Sequence, residues 1–213
     1  MHFIRWISTL LFLAPGAGSA QADTMPAKDA FNWVSVYTAQ GVNHNLRELP
    51  ARITTGDLDW DSSYFTAVEL GRIRGTMVQS FDSLRGTPFA SIRHGYAAVL
   101  AKHYGLQSNA EIDAAYLLKT PDLKLGMLGV NFGTGAGLSF ALGDPSYEDG
   151  PKNDPGRHYR TQLFAMFELE WRLIGFDNLS IITRVHHRSG VYGVIAPRNV
   201  GSNFLALGIR HKF

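Results

Sequence analysis

The sequence of 213 residues contains no cysteine, which excludes disulfide bonds and thiolate-bound metal sites. It also lacks a strong charge of either sign, because 20 Lys and Arg residues against 18 Asp and Glu residues give a formal net charge of +2. No basic run stands out, so electrostatics gives no reason to expect a nucleic-acid partner. Beyond the N-terminal segment, no stretch approaches the roughly 18 apolar residues that a membrane-spanning helix requires. Helical membrane insertion is therefore not expected.

The N-terminal segment has the three parts of a secretory signal. Arg5 precedes a short apolar run at 6–13, and small residues then lead to an Ala-Gln-Ala triplet at 20–22. A basic start, a short apolar centre and an A-x-A end are typical of a cleavable signal peptide. The pattern predicts a signal peptide over residues 1–22, followed by a single domain over residues 23–213. A buried N-terminal helix is the alternative.

The end of the sequence alternates between two kinds of side chain. Such a period of two predicts a strand with one lipid-facing side and one side facing a polar or small-residue interior. An aromatic terminus after alternating apolar positions also resembles the C-terminal signature of bacterial outer-membrane barrels. The lipid-facing set is Leu205, Leu207, Ile209, His211 and Phe213, and the interior set is Phe204, Ala206, Gly208, Arg210 and Lys212.

Two preceding segments, residues 162–172 and 180–189, alternate in the same way across a turn at 175–178. One face of this hairpin carries too many charges for the core of a soluble protein. The apolar face must therefore lie outside, as it does in membrane barrels. We expect Glu168 to pair with Arg184 across the interior side of the hairpin. The charged set is Glu168, Glu170, Arg172, Arg184 and Arg188.

Weaker alternation elsewhere brings the number of strands to eight. The predicted fold is all-β, an eight-stranded antiparallel transmembrane β-barrel. The predicted location is the bacterial outer membrane, to which the cleavable signal peptide would direct export. Side chains fill the interior of a barrel of this size, so a diffusion pore is not expected. A C-terminus on the periplasmic side predicts long external loops at 41–60, 147–157 and 190–201 and short inner turns. The five weaker strands are predicted at residues 31–40, 63–74, 90–103, 110–118 and 126–142.

Candidate chemistry lies at the external end of the penultimate strand. His187 and Ser189 are two residues apart, so they share the outward face at a separation of about 7 Å along the backbone. An imidazole that removes the hydroxyl proton makes serine a nucleophile, and a third group usually orients the ring. Asn203, at the start of the last strand, has the same outward parity. No residue spacing supports a metal site or a cofactor.

These features resemble PagL-type lipid A 3-O-deacylases over residues 167–213. The resemblance rests on the H-x-S triplet at 187–189, a loop of about a dozen residues, and Gly-Ser-Asn-Phe at 201–204. It implies an eight-stranded outer-membrane barrel with a His–Ser–Glu site on its lipid-facing wall. Such a site hydrolyses the ester that holds a 3-hydroxyacyl chain on lipid A. His187 and Ser189 match the family motif directly.

The sequence departs from the family at two positions. The acid of the family falls at or beside Asn203, which can hold an imidazole but cannot stabilise its charged form as a carboxylate does. The asparagine that follows the family's serine is Gly190 here. An oxyanion hole would therefore use backbone N–H groups, with Gly190 and Val191 as the candidates.

The interpretation favoured by these observations is an outer-membrane esterase that acts on lipid A in the outer leaflet. Ser189 would be the nucleophile, His187 the general base and then acid, and Asn203 the group that orients the ring. The alternative is a small barrel without enzymatic activity, whose external loops bind lipopolysaccharide or another partner. A transport pore is disfavoured by the number of strands.

Overall fold

The computed structural model describes residues 32–148, 159–197 and 200–213. Two short helices accompany the strands in these segments, α1 (Leu49–Thr55) and α2 (Met77–Ser80). None of the helices in this part of the chain is long and apolar enough to cross a membrane. The strands are β1 (Asn32–Val42), β2 (Trp60–Thr76), β3 (Arg93–Gly105), β4 (Ala110–Lys119), β5 (Leu123–Leu125), β6 (Leu128–Leu142), β7 (Thr161–Leu173), β8 (Leu179–Ser189) and β9 (Gly201–Lys212).

Several predictions fall wholly or partly outside the described residues, among them the external loop at 190–201, of which residues 198–199 are not described. The signal peptide over 1–22 lies outside them, and so does residue 31, the predicted start of the first strand. Most of the predicted external loop at 147–157 lies outside them as well. The cleavage site after residue 22 therefore stays a prediction.

Eight of the strands form one closed antiparallel barrel. β1 pairs with both β2 and β9, and β4 pairs with β6, so the sheet returns to its first strand. β5 adds only a three-residue partner to the beginning of β6. Closure leaves no unpaired sheet edge, which a strand structure in hydrocarbon requires. The predicted eight-stranded antiparallel barrel is confirmed.

Most strand boundaries differ from the predicted ones by one to three residues, and two of these differences have a local cause. The strand predicted at 90–103 begins at Arg93, because residues 87–92 belong to the preceding connection. The strand predicted at 126–142 begins at Leu128, since Gly126 lies in the turn between β5 and β6 with φ = 61°. This left-handed conformation suits glycine, which has no Cβ to clash with the backbone.

Polarity across the barrel wall is the reverse of that in a soluble protein. Outward side chains such as Leu70 and Leu138 are 59% and 58% exposed, whereas inward Glu69 and Arg184 are buried. An apolar exterior around a charged interior is the pattern of a barrel that lies in lipid. The inverted polarity predicted from the sequence is confirmed.

Ion pairs fill much of the barrel interior. Glu168 lies directly opposite Arg184 in the β7–β8 register and accepts hydrogen bonds from its guanidinium, as predicted. Arg210 is surrounded by the carboxylates of Glu69, Glu168 and Glu170 at 2.6 to 2.9 Å. Opposite charges thus compensate one another where water is excluded, which a buried charge requires.

The connections at the inner end, where β1 begins and β9 ends, are not all short. The β7–β8 turn is tight, but residues 77–92 between β2 and β3 contain α2 and a 3-10 turn at Asp82–Leu84. Thr76 and Gln79 form a capping box that starts α2, so the chain continues as a helix here before it returns as β3. The expectation of short inner turns is wrong for this connection.

The first external connection folds back against the outside of the barrel. α1 ends at Gly56, which is left-handed with φ = 72°, and the helix presents one apolar side to the wall. Leu49 is buried against Val42 and Leu205 of the barrel. Leu46, Ile53, Leu58, Trp60 and Val185 pack against this cluster. We call residues 43–59 the α1 segment.

Candidate active site

His187 and Asn203 face each other across β8 and β9 on the outward side of the barrel. His187 Nδ1 lies 2.8 Å from Asn203 Oδ1 and 3.2 Å from the carbonyl oxygen of Ser202. Both of these oxygens can only accept, so Nδ1 carries the hydrogen of the neutral ring. The lone pair is therefore on Nε2, the nitrogen that a general base uses.

The side-chain amide of Asn203 is held at both ends. Its Nδ2 donates to the backbone carbonyl of His44 at 2.7 Å, which assigns Oδ1 to the side of His187. Asn203 is buried, and its contact with His44 joins it to the α1 segment. The ring of His187 is consequently fixed through Asn203 to the first external connection, as well as to its own strand.

Ser189 lies next to His187 along the same face but makes a different contact. Its Oγ accepts a hydrogen bond from the backbone N–H of Val191 at 3.1 Å. Within the described residues, no hydrogen bond joins the Ser189 hydroxyl to the His187 ring. The structure thus brings His187 and Asn203 into contact. Ser189 lies two residues farther along β8, on the same face, without a hydrogen bond to either of them.

The turn after Ser189 has an unusual backbone. Val191 and Tyr192 have φ of 52° and 53°, and they are the only non-glycine residues with positive φ in the described part of the chain. A β-branched residue in this region is strained, by about 1–3 kcal/mol. Ile195 and Ala196 both donate to the carbonyl of Gly190 at 3.0 Å, which holds the strained turn closed.

The two predicted oxyanion donors differ in their availability. The N–H of Gly190 donates to the carbonyl of Val200 at 3.1 Å, so it is already engaged. The N–H of Val191 points at the Ser189 oxygen. A Cβ at position 190 would lie 2.5 Å from the carbonyl oxygen of Ala196, so the turn has no room for an asparagine side chain there. Of the two candidates, only Val191 directs its N–H at the serine hydroxyl.

An apolar groove of about 510 Å³ runs down the outer wall beneath the α1 segment. Leu46, Leu49 and Ile53 line one side of it, and Phe167 and Val185 line the barrel side. Val185 and Leu205 lie opposite each other on β8 and β9, and the next pair of outward residues toward the external end is His187 and Asn203. His187 and Asn203 do not line the groove themselves, but they lie one outward pair beyond Val185 and Leu205, on the external side.

This groove could not be expected from a connection at 41–60 that is predicted only as an external loop. A signal was present, since Leu46, Leu49 and Ile53 recur at spacings of three and four, which is the period of an amphipathic helix. The short length of the pattern and Pro50 within it obscured the signal.

A second serine–histidine pair lies at the inner end of the barrel. Ser80 Oγ is 2.7 Å from His94 Nε2, and the Tyr116 hydroxyl is 2.9 Å from His94 Nδ1. This pair resembles the candidate site in residue types while lying at the opposite end of the barrel, so it supplies a matched control for experiments.

Comparison with known proteins supports the fold. No protein-family model matches the sequence, and no curated protein matches it either. The solved structure of the outer membrane enzyme PagL matches with a TM-score of 0.50 and 9% identity, covering 84% of this chain and 98% of that chain. Neisserial surface protein A (NspA) matches with a TM-score of 0.47 and 13% identity, covering 85% of this chain and 97% of that chain.

A third match is Ail, the attachment invasion locus protein of Yersinia pestis, with a TM-score of 0.25, 12% identity, and coverage of 86% of this chain and 99% of that chain. Identities this low show the fold alone and do not separate an enzyme from a non-enzymatic barrel. The shared barrel fold and the inverted polarity of the wall together support an outer-membrane location.

Proposed function

We propose that this barrel is a serine-dependent esterase of the outer membrane that removes an ester-linked acyl chain from lipid A. One observation carries the proposal: the His187–Asn203 pair lies one outward pair beyond the external limit of an apolar groove on the lipid-facing wall. An acyl chain in the groove would bring its ester to the level of Ser189 and His187. The family resemblance of residues 167–213 suggests lipid A as the substrate.

In the proposed reaction, Ser189 Oγ attacks the ester carbonyl carbon while its proton passes to His187 Nε2. The tetrahedral intermediate collapses, the bond to the sugar oxygen breaks, and the proton on Nε2 passes to that leaving oxygen. Water then attacks the acyl–serine ester, with His187 accepting a proton from the water and returning it to Ser189 Oγ. The products are a free fatty acid and lipid A with a hydroxyl at that position.

This reaction requires Ser189 to change its hydrogen-bond partner. Rotation about the Cα–Cβ bond would turn Oγ from the Val191 N–H toward His187 Nε2. The same rotation would free the Val191 N–H to donate to the oxyanion, where a fixed backbone dipole stabilises the developing charge. Catalytic hydrogen bonds often tighten only when substrate binds, so the contact of Ser189 with Val191 is compatible with this role.

The groove supplies the binding energy that an acyl substrate would use. Each methylene transferred into an apolar site contributes up to about 0.8 kcal/mol relative to water. The gain relative to the bilayer is smaller, because the chain leaves one apolar environment for another. The groove therefore serves mainly to position the ester, and positioning lowers the barrier by converting attack into an intramolecular step.

The second candidate function is binding of lipopolysaccharide without chemistry. It is favoured by the contact between Ser189 and Val191, which leaves the hydroxyl turned away from the base. The groove and the α1 segment would then hold an acyl chain and leave its ester intact. The two candidates differ in whether a fatty acid is released.

Purified protein in detergent micelles, incubated with lipid A, tests the proposal by mass-spectrometric measurement of free fatty acid. The proposal expects release by wild type, no release by Ser189→Ala or His187→Ala, and unchanged release by the control Ser80→Ala. Heat-modifiable migration in gels verifies that each variant is folded. Binding of lipid A by a folded wild type that releases no fatty acid would favour the second candidate.

A further inference from the structure

We propose that the barrel interior binds one divalent transition-metal ion between Glu111, Asp113 and His186. Glu111 and Asp113 lie on β4 and His186 lies on β8, and all three side chains are buried. The proposal goes beyond the esterase and does not depend on it, because His186 points into the barrel whereas His187 points outward. The sequence shows no metal-ligand spacing because the ligands come from strands 75 residues apart.

The three side chains have separations that suit a common ion. One ligand atom from each lies within 4.8 Å of the others. His186 Nε2 is 2.8 Å from Glu111 Oε1 and 3.8 Å from Asp113 Oδ2. Ligand atoms of a tetrahedral site with bonds of about 2.1 Å stand roughly 3.4 Å apart. The observed separations lie on either side of that value, so small side-chain adjustments would complete the site.

Among the described residues, the external half of the interior holds more carboxylates than guanidinium groups, and the rings of His103 and His186 lie within ion-pair distance of Glu111. The carboxylates of Glu111, Asp113 and Glu148 lie there, and Arg188 pairs with Glu148 and with Glu111. Asp113 has no arginine or lysine within ion-pair distance among the described residues. A buried carboxylate without a cation is unfavourable, and a divalent ion would supply the missing positive charge.

Unpartnered oxygen atoms give a second, independent observation. Neither carboxylate oxygen of Asp113 has a hydrogen-bond partner within the described residues, although the side chain is fully buried. Ser139 lies directly opposite Asp113, and Gln162 lies directly opposite Ser139. Ser139 Oγ and Gln162 Oε1 are also buried and unpartnered. Buried polar atoms are usually satisfied, and a bound ion with its water ligands would satisfy this row of oxygens.

The ligand types identify the class of metal. One imidazole and two carboxylates suit Zn²⁺ or Mn²⁺, whereas Mg²⁺ and Ca²⁺ prefer oxygen ligands alone. The rings of Phe65 and Phe164 lie 4.9 and 4.7 Å from the His186 ring and hold its orientation. The ion would be enclosed by side chains inside the barrel, so we infer a role in folding and stability.

Metal content of the purified protein tests this inference. Wild type is folded into detergent with ZnCl₂ or MnCl₂, desalted, and measured by inductively coupled plasma mass spectrometry. The proposal expects one ion per chain in wild type and less than a tenth of that in Asp113→Asn and His186→Gln. The control Asp177→Asn, which changes an exposed carboxylate in the β7–β8 turn, should retain the full content.

X-ray absorption at the metal edge should show one imidazole nitrogen in wild type. If neither interior variant folds, the wild-type protein alone decides: one ion with this nitrogen supports the site. A folded wild type without stoichiometric metal overturns it, and so does full metal retention in folded Asp113→Asn.

Discussion

Asn203 connects His187 to the backbone of His44 through the two ends of one amide. Its Oδ1 accepts from the ring at 2.8 Å, and its Nδ2 donates to the His44 carbonyl at 2.7 Å. An amide can do both, whereas a carboxylate has no hydrogen to donate. The structure thus gives a physical reason for an asparagine at the position where the family resemblance leads one to expect an acid.

Asn203→Asp tests this role of the amide. The carboxylate keeps an acceptor for His187 but places its second oxygen against the His44 carbonyl, and the repulsion should displace the α1 segment. A displaced base and groove should lower the rate of fatty-acid release by about 100-fold. Release kinetics and protease sensitivity of the α1 segment measure the two effects.

Asn178→Asp is the matched control, because Asn178 is exposed in the β7–β8 turn at the other end of the barrel. It should leave the rate within about twofold of wild type. A rate for Asn203→Asp equal to or above wild type would show that the contact with His44 is unimportant and that an acid serves His187 better.

Leu169→Trp tests whether the groove holds the acyl chain. Leu169 lines the part of the groove farther from His187 than Val185, so a larger side chain there should block the distal end of a long chain. The rate on long-chain esters should fall at least tenfold, while short-chain esters should be hydrolysed as before. Leu100→Trp, on the opposite outer wall at β3, should change neither rate. Equal losses for both chain lengths would place the acyl chain elsewhere.

Arg210→Leu tests the interior ion-pair network. Removing this guanidinium leaves Glu69, Glu168 and Glu170 with less compensating charge in a buried space. Breaking a buried network in this way should lower the free energy of unfolding by about 3–5 kcal/mol. Urea unfolding of the barrel in lipid vesicles measures the change.

Arg85→Leu is the control. It removes an exposed pair with Asp82 and should lower the free energy of unfolding by less than about 1 kcal/mol. Similar losses in both variants would contradict the account.

The strands that carry the site could be predicted because their alternation is strict. β7, β8 and β9 place charges on one face and apolar residues on the other, and this pattern fixed the parity of Glu168, Arg184, His187 and Asn203. Register then followed from a short turn on one side of β8. The boundaries of the other strands were predicted less accurately, since glycine and other small residues weaken the alternation of polar and apolar side chains there.

The contacts made by loops could not be predicted from the same pattern. Nothing in strand alternation indicates that the α1 segment folds onto the wall, or that His44 anchors Asn203. The hydrogen-bond partner of Ser189 could not be predicted either, because the left-handed backbone at Val191 depends on how the chain returns to β9. Contacts between residues distant in sequence set these details.

Mass spectrometry of lipid A from bacteria that express the protein tests the central claim most directly. Cells with wild type or Ser80→Ala should contain lipid A that has lost the mass of one acyl chain. Cells with Ser189→Ala should retain the full mass while holding equal amounts of folded barrel in the outer membrane. Unchanged lipid A in cells with folded wild type, or equal loss in cells with Ser189→Ala, would contradict the esterase account.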